Sequence, residues 1–162
     1  SGTIDSISFG HRRSVESIDI NNDLKYEQAD NSYDISRENL LKSGLWTFIR
    51  QKPFSKIPHY SSSPKSIFIS AMPTEPFAID YEDLFGYHEN YLQDGINALK
   101  SIFKCDIYFS SFDNSSVFKE LKKVKHYTFN NLHPAGNIGV QIHHINPIRN
   151  AGDCRWYLSL QD

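Results

Sequence analysis

Apolar residues in the opening stretch SGTIDSISFGHRRSVESIDI fall at Ile4, Ile7 and Phe9, then at Val15, Ile18 and Ile20. Two short strands joined by the turn Phe9-Gly10-His11-Arg12 fit this pattern, which predicts a β-hairpin. Strict alternation does not put Ile4, Ile7 and Phe9 on one face, so the pattern requires either a bulge or burial on both sides. An isolated hairpin is marginal in water, so something must pack on it. Residues 21–35, NNDLKYEQADNSYDI, show no period and read as a polar, acidic linker in which Tyr26 and Tyr33 are exposed or packing aromatics.

Ser36 then opens a short helix over RENLLKSG, with Glu38 in its first turn and Gly44 as its left-handed stop. Pro53, Pro58 and Pro64 break the following LWTFIRQKPFSKIPHYSSSP into a turn and extended chain, predicted to be exposed and chemically mixed, with Trp46 as an exposed or packing aromatic. From Pro64 the pattern changes. SIFISAM is the continuous apolar run of a buried strand. Leu92, Gly95, Ile96, Leu99, Ile102 and Phe103 recur at helical spacing, with Glu89, Gln93, Asp94 and Lys100 turned outward. CDIYFS and HYTFN read as further strands flanking a weak helix over Val117–Lys122, and CRWYLSL alternates with Cys154, Trp156, Leu158 and Leu160 on one side. Strands separated by helices predict a Rossmann-like, three-layer α/β domain over 31–162, preceded by the hairpin and linker of 1–30.

Composition narrows the function classes. The 17 Lys and Arg against 19 Asp and Glu give a net charge of −2, so no basic field invites nucleic acid or an acidic membrane surface. The run Lys119–Lys125 reads as a solvated face. A mean hydropathy of −0.50 fits a soluble globular chain, and no segment reaches the ~20 apolar residues of a spanning helix. Cys105 and Cys154 form no CxxC, which excludes an iron–sulfur or zinc site of that kind and favours a reducing compartment. A chain that begins Ser-Gly reads as a piece of something longer, and no signal-peptide pattern precedes the hairpin. After SIFIS the chain runs AMPTEPFAID, with neither GxGxxG nor GxxxxGK[ST], so the glycines that let a backbone approach a pyrophosphate are missing.

Two stretches carry candidate chemistry. HPAGNIGVQIHHIN holds His133, His143 and His144 around Gly136 and Gly139. It reads foremost as a structural turn and helix start, with a glycine in a special backbone angle and His133 hydrogen-bonded locally; a contact to a ligand or a neighbouring protein through His133 or His143 ranks next, and no metal is expected. In RQKPFSK, Arg50, Lys52 and Lys56 supply donors and Phe54 supplies a ring around a rigid Pro53, the types that suit a planar ligand with carbonyl oxygens. The alternative is a solvated loop, or cations paired with acidic groups of a neighbouring subunit.

SGLW (43–46), RQKPFSKIP (50–58), SPKSIFISAMPTEPFAID (63–80), QDGINAL (93–99) and HPAGNIGVQIHHINPI (133–148) together resemble the NqrA family of sodium-translocating NADH:quinone oxidoreductases, in the same order and from the hairpin to the final LQD. The resemblance implies a central fragment of a longer subunit, its hairpin closing a barrel-sandwich (biotinyl/lipoyl-like) domain. It implies a respiratory complex, peripheral on the cytoplasmic face of the bacterial inner membrane, that oxidises NADH, reduces ubiquinone or menaquinone and exports sodium. Flavins and the iron–sulfur centre would lie in partner subunits and no redox cofactor in this chain, whose fold would be similar to the FMN-binding subunit of complex I with flavin binding lost. The family's quinone-contacting segment would fall at Ile49–Lys56. The catalytic residues are unknown and the isolated fragment is expected to be inactive. The family pattern after HPAG reads Gly-Thr-His-Ile-His, and here Gln141 stands at its first histidine, which weighs against a metal. A non-catalytic α/β scaffold or ligand-binding module is the competing function class.

Overall fold

The computed structural model describes residues 2–25, 34–86, 88–150 and 152–161. The chain divides into two compact units, Ser1–Tyr33 and Asp34–Asp162.

In the first unit, β1 (Gly2–Phe9) pairs antiparallel with β2 (Val15–Asn22). The register shifts twice, between Ile4 and Ser6 and between Ser8 and Phe9. Each shift inserts one extra residue, which restores the parity that apolar positions three apart would otherwise lose. Ile4 therefore lies opposite Ile20, Ile7 opposite Ile18 and Phe9 opposite Val15. The other face is polar: Ser6 Oγ donates to Asp19 at 2.6 Å, and the Ser8 and Ser17 hydroxyls share a hydrogen bond of 2.5 Å. Bulging, not two-sided burial, resolves the irregular spacing, and all six apolar residues are exposed within this unit. Asn21 and Asn22, expected in the linker, belong to β2 because Thr3 and Gly2 pair with them. Tyr26, Tyr33 and the rest of the expected linker between 26 and 33 lie outside the described residues.

The second unit is a mixed α/β domain. Helix α1 (Arg37–Lys42) begins where the Ser36 hydroxyl accepts from the Asn39 N–H at 3.2 Å, and Gly44, at φ +81°, ends it. A 3₁₀ turn (Leu45–Phe48) leads into β3 (Arg50–Lys52). This segment is not the exposed loop expected. Trp46 and Ile49 are buried, and the Trp46 indole N–H donates to the Pro58 carbonyl at 3.0 Å. They sink because β3 pairs antiparallel with β7 (Arg155–Ser159) and so becomes part of the sheet.

The sheet runs β3-β7-β4-β5-β6, with β4 (Ser66–Ser70), β5 (Asp106–Phe112), β6 (Lys125–Phe129) and β7 mutually parallel. Central β4 is buried on both faces, as its unbroken apolar run requires. Ile67 and Ile69 join Trp46, Phe103 and Trp156 on the face covered by α3 (Glu89–Phe103). Phe68 joins Tyr108 and Ile142 on the face covered by α4 (Ile138–Ile145). A further short helix, α2 (Tyr81–Phe85), had no periodic signal; Asp80 caps it by accepting from the Glu82 N–H at 2.8 Å.

Two expectations need correction. The segment Val117–Glu120 is a 3₁₀ turn and the helix does not continue to Lys122. Gln93, expected to face outward, is the reason: its amide accepts from the Lys122 N–H at 2.6 Å and donates to the Lys122 carbonyl at 3.2 Å. With both backbone groups engaged, Lys122 has none to give a helix.

Candidate functional site

Edge strand β3 and the turn behind it present the RQKPFSK segment. Pro53 lacks an N–H and ends the strand; the chain turns back so that the Gln51 N–H donates to the Lys56 carbonyl at 2.8 Å. Arg50 and Lys52, two residues apart, share the face opposite to buried Ile49. Lys52 Nζ lies 5.5 Å from the ring centroid of Tyr157, a cation–π contact. Arg50 Nη1 donates to the Thr47 carbonyl and, at 3.3 Å, to the Ile49 carbonyl. Of its five N–H donors only those on this nitrogen are engaged among the described residues. Phe54 stands at the turn, 78% exposed, and stacks on no ring among the described residues. Lys56 is exposed on the returning limb. The fold thus gathers two cations on one strand face but does not close an aromatic wall over them.

The histidine stretch has a different construction. His133 Nδ1 lies 3.3 Å from Thr74 Oγ1, and the same hydroxyl accepts from the Gly136 N–H at 3.2 Å. The expected local partner of His133 is therefore a residue 59 positions away, on the loop after β4. Nor does either glycine take a special backbone angle: among the described residues Gly44 alone has a glycine φ in the left-handed region. Gly136 is needed for space, since a Cβ there would collide with the Met72 carbonyl oxygen and Thr74 Oγ1. Asn137 Oδ1 accepts from the Gly139 N–H at 2.8 Å and starts α4. His143 and His144 lie exposed on that helix with ring centroids 5.4 Å apart, and His144 also approaches Phe129. Among the described residues no group of three or more His, Cys, Asp or Glu side chains could hold a metal ion.

Gln141 is the residue that sequence reasoning undervalued. It is fully buried, and its amide nitrogen donates to Ser70 Oγ at 2.9 Å and to the Ala135 carbonyl at 3.0 Å. It ties α4 to the end of β4 and to the HPAG turn. Beside it, at the carboxyl ends of β4 and β7, lies a cleft of about 150 Å³ bounded by Ser70, Met72, Glu75, Gly136 and Tyr157. Clefts outside the carboxyl ends of parallel strands are where open α/β sheets take ligands. The single sequence signal for it was the serine that closes the apolar run SIFIS. Gln141→Leu is expected to cost about 1–3 kcal/mol in urea denaturation, because Ser70 and Ala135 lose a buried donor. Gln141→His, which keeps an N–H, is expected to cost less than half of that.

Residues 32–162 match the family described as NqrA second alpha/beta domain. The chain belongs to this family. With the hairpin included, it is 34% identical over 175 residues to the NqrA protein of the Na(+)-translocating NADH-quinone reductase of Glaesserella parasuis, covering 100% of this chain and 39% of the relative. The NqrA of Saccharophagus degradans is 32% identical over 174 residues, covering 99% of this chain and 38% of that protein. The corresponding protein of Haemophilus influenzae is 32% identical over 173 residues. The NqrA domain and the hairpin before it thus span about 39% of the length of the curated relatives they match.

Proposed function

We propose that this chain is the central part of the NqrA component of a bacterial Na⁺-translocating NADH:quinone oxidoreductase, which couples NADH oxidation and quinone reduction to sodium export. The match of residues 32–162 to the NqrA domain family carries this reading. The chain would hold no redox cofactor itself: it has no glycine-rich phosphate loop and no CxxC, so flavins and the iron–sulfur centre would lie in partner subunits. Association with those subunits would hold it at the cytoplasmic face of the inner membrane; no helix among the described residues is long and apolar enough to cross a bilayer. The domain is Rossmann-like in this proposal, supported by the strand order: counting β4 to β7 as first to fourth, the parallel strands run third-second-first-fourth. The hairpin within 1–30 would be the end of a barrel-sandwich domain, supported by an apolar face that needs a second sheet.

The segment Arg50–Lys56 is the quinone-side or docking surface in this reading. Its support is chemical: Arg50 and Lys52 share one strand face, and cations so held stabilise a carbonyl oxygen whose charge grows on reduction. In the intact complex, Arg50→Ala combined with Phe54→Ala is expected to lower quinone reduction by about ten-fold while NADH oxidation with an artificial acceptor falls by less than two-fold. His143→Ala is expected to act on assembly first. Loss of quinone turnover in the His143 variant alone, with normal assembly of both, would move the site to the histidine stretch.

A scaffold role is favoured by one specific observation. Arg50 spends donors on the Thr47 and Ile49 carbonyls and Lys52 rests on Tyr157, as cations of a structural edge do. Unchanged quinone reduction in the double variant would support that reading.

A further inference from the structure

The loop that leads from β4 to α2 exposes every residue from Glu75 to Asp80. Phe77 is fully exposed at its centre, and Ile79 and Leu84 are exposed after it. Phe77 also sits in the left-handed region, at φ +63°, which a bulky residue adopts only at a cost. Its side chain buries nothing that offsets that cost. Both flanks of the loop are tied to the domain: Thr74 Oγ1 accepts from the Gly136 N–H at 3.2 Å, and Asp80 caps α2. The ring is therefore held outward by an anchored backbone. A strained position that gains no contact within its own fold points to use outside it.

Charge says what kind of surface meets it. Between Lys65 and Lys100 the chain has no lysine or arginine, but it has Glu75, Asp80, Glu82, Asp83, Glu89 and Asp94. Glu75, Asp80, Glu82 and Asp83 are interleaved with the exposed apolar residues and form no ion pair among the described residues. Glu38, Asp106 and Asp153 each hold a cation. The acidic charge around Phe77 is thus left without a counterpart in this domain.

We propose that Phe77 is the anchor of a protein-docking surface: its ring enters an apolar pocket on a different protein, whose surface around that pocket carries lysine or arginine. An aromatic anchor inside a charged rim is how protein interfaces combine affinity with selection of a partner. The rim decides against the other occupants. An anionic bilayer or a nucleic acid is repelled by it. A second copy would have to offer its own basic run, Lys119–Lys125, and a head-to-tail contact of that kind continues into a ring or a filament. The inference rests on the reading of this chain as a component of a multisubunit complex, and not on the role of Arg50–Lys56.

The test uses the intact complex, purified through a tag on this subunit, with Phe77 replaced by the photo-cross-linking residue p-benzoylphenylalanine. Irradiation is expected to join position 77 to a different subunit, in a segment that carries lysine or arginine. Glu75→Lys with Asp83→Lys should lower the yield of that product about five-fold or more, and about 0.5 M NaCl should lower it in the parent. Phe77→Asn, which tolerates the left-handed backbone, should leave the melting temperature of the full-length subunit apart from the complex unchanged or higher. A fall of several degrees would mean that the ring packs within its own polypeptide, and overturns the proposal. Adducts confined to the same polypeptide, to a second copy of it or to lipid overturn it as well, as do a partner segment without basic residues and the absence of any adduct. Co-purification of the other subunits in the same preparation reports separately on the complex: where they co-purify and no adduct forms, this inference fails alone, and where none co-purifies, both fail.

Discussion

Replacing Trp156 with alanine is expected to cost about 3–5 kcal/mol, enough to remove much of the stability of a domain of this size. Trp156 is fully buried near the start of β7. Its ring meets Trp46 edge-on at 5.7 Å and Phe103 at 5.2 Å between centroids. Through Trp46 it is connected to the segment before β3, and through Phe103 to the end of α3. Three separate pieces of chain therefore lose their common contact in the variant. Because Trp156 lies opposite Gln51, the pairing of edge strand β3 should loosen with it. Urea denaturation followed by circular dichroism measures the loss, and the fluorescence of the remaining Trp46 should shift toward longer wavelength before the global transition. A cost below about 1 kcal/mol would mean that this cluster is not the centre of the core.

Acid is expected to weaken the domain through Asp153, and removing Arg155 should expose how. Both side chains are buried. Arg155 Nη1 donates to Asp153 Oδ1 at 2.5 Å, and the same carboxylate oxygen accepts from Lys65 Nζ at 2.9 Å. The remaining Arg155 donors reach the Asn146 side chain at 2.9 Å and its backbone carbonyl at 3.2 Å. The cluster fastens the end of α4 to the start of β7. The Arg155 guanidinium, then Lys65, hold the Asp153 carboxyl well below the usual carboxylate range. A depressed folded value means that the unfolded chain takes up the proton more readily. The contribution is therefore complete above the ordinary carboxylate value, and is lost as pH falls from about 5 toward the folded value. Arg155→Met leaves the buried carboxylate with Lys65 as its one remaining cation among the described residues and should lower the melting midpoint on the order of 10 °C at neutral pH. The gap to the parent should narrow at pH 3, where Asp153 can neutralise itself. Asp153→Asn should flatten the acid limb of the parent's stability curve. Asp106, held low by Lys125, and Glu38, held low by Lys42, act in the same direction, but both ion pairs are largely exposed and contribute less. An acid limb unchanged in Asp153→Asn would assign it to those other carboxylates.

Sequence by itself determined the features whose causes are local. The serine cap and glycine stop of α1, the apolar run of β4 and the Leu92, Ile96, Leu99, Ile102 and Phe103 positions of α3 each follow from neighbours within a few residues, and each forms as read. The hairpin was half legible: apolar positions three apart announced an irregularity, and pairing across the strands decided that it is a pair of bulges. The donor types of Arg50–Lys56 were also legible, but not that Phe54 would stand 78% exposed at the turn. Only the tertiary structure decided the rest. Trp46 is buried because β3 joins an edge that β7, over a hundred residues later, provides. From the sequence Gln93 reads as outward-facing, His133 as locally hydrogen-bonded and Gln141 as a departure from a histidine pattern, because Lys122, Thr74 and Ser70, which help fix them, lie 29 to 71 positions away. A polar side chain carries no mark of which distant backbone group or hydroxyl it will meet, whereas an apolar run carries its burial in its own periodicity.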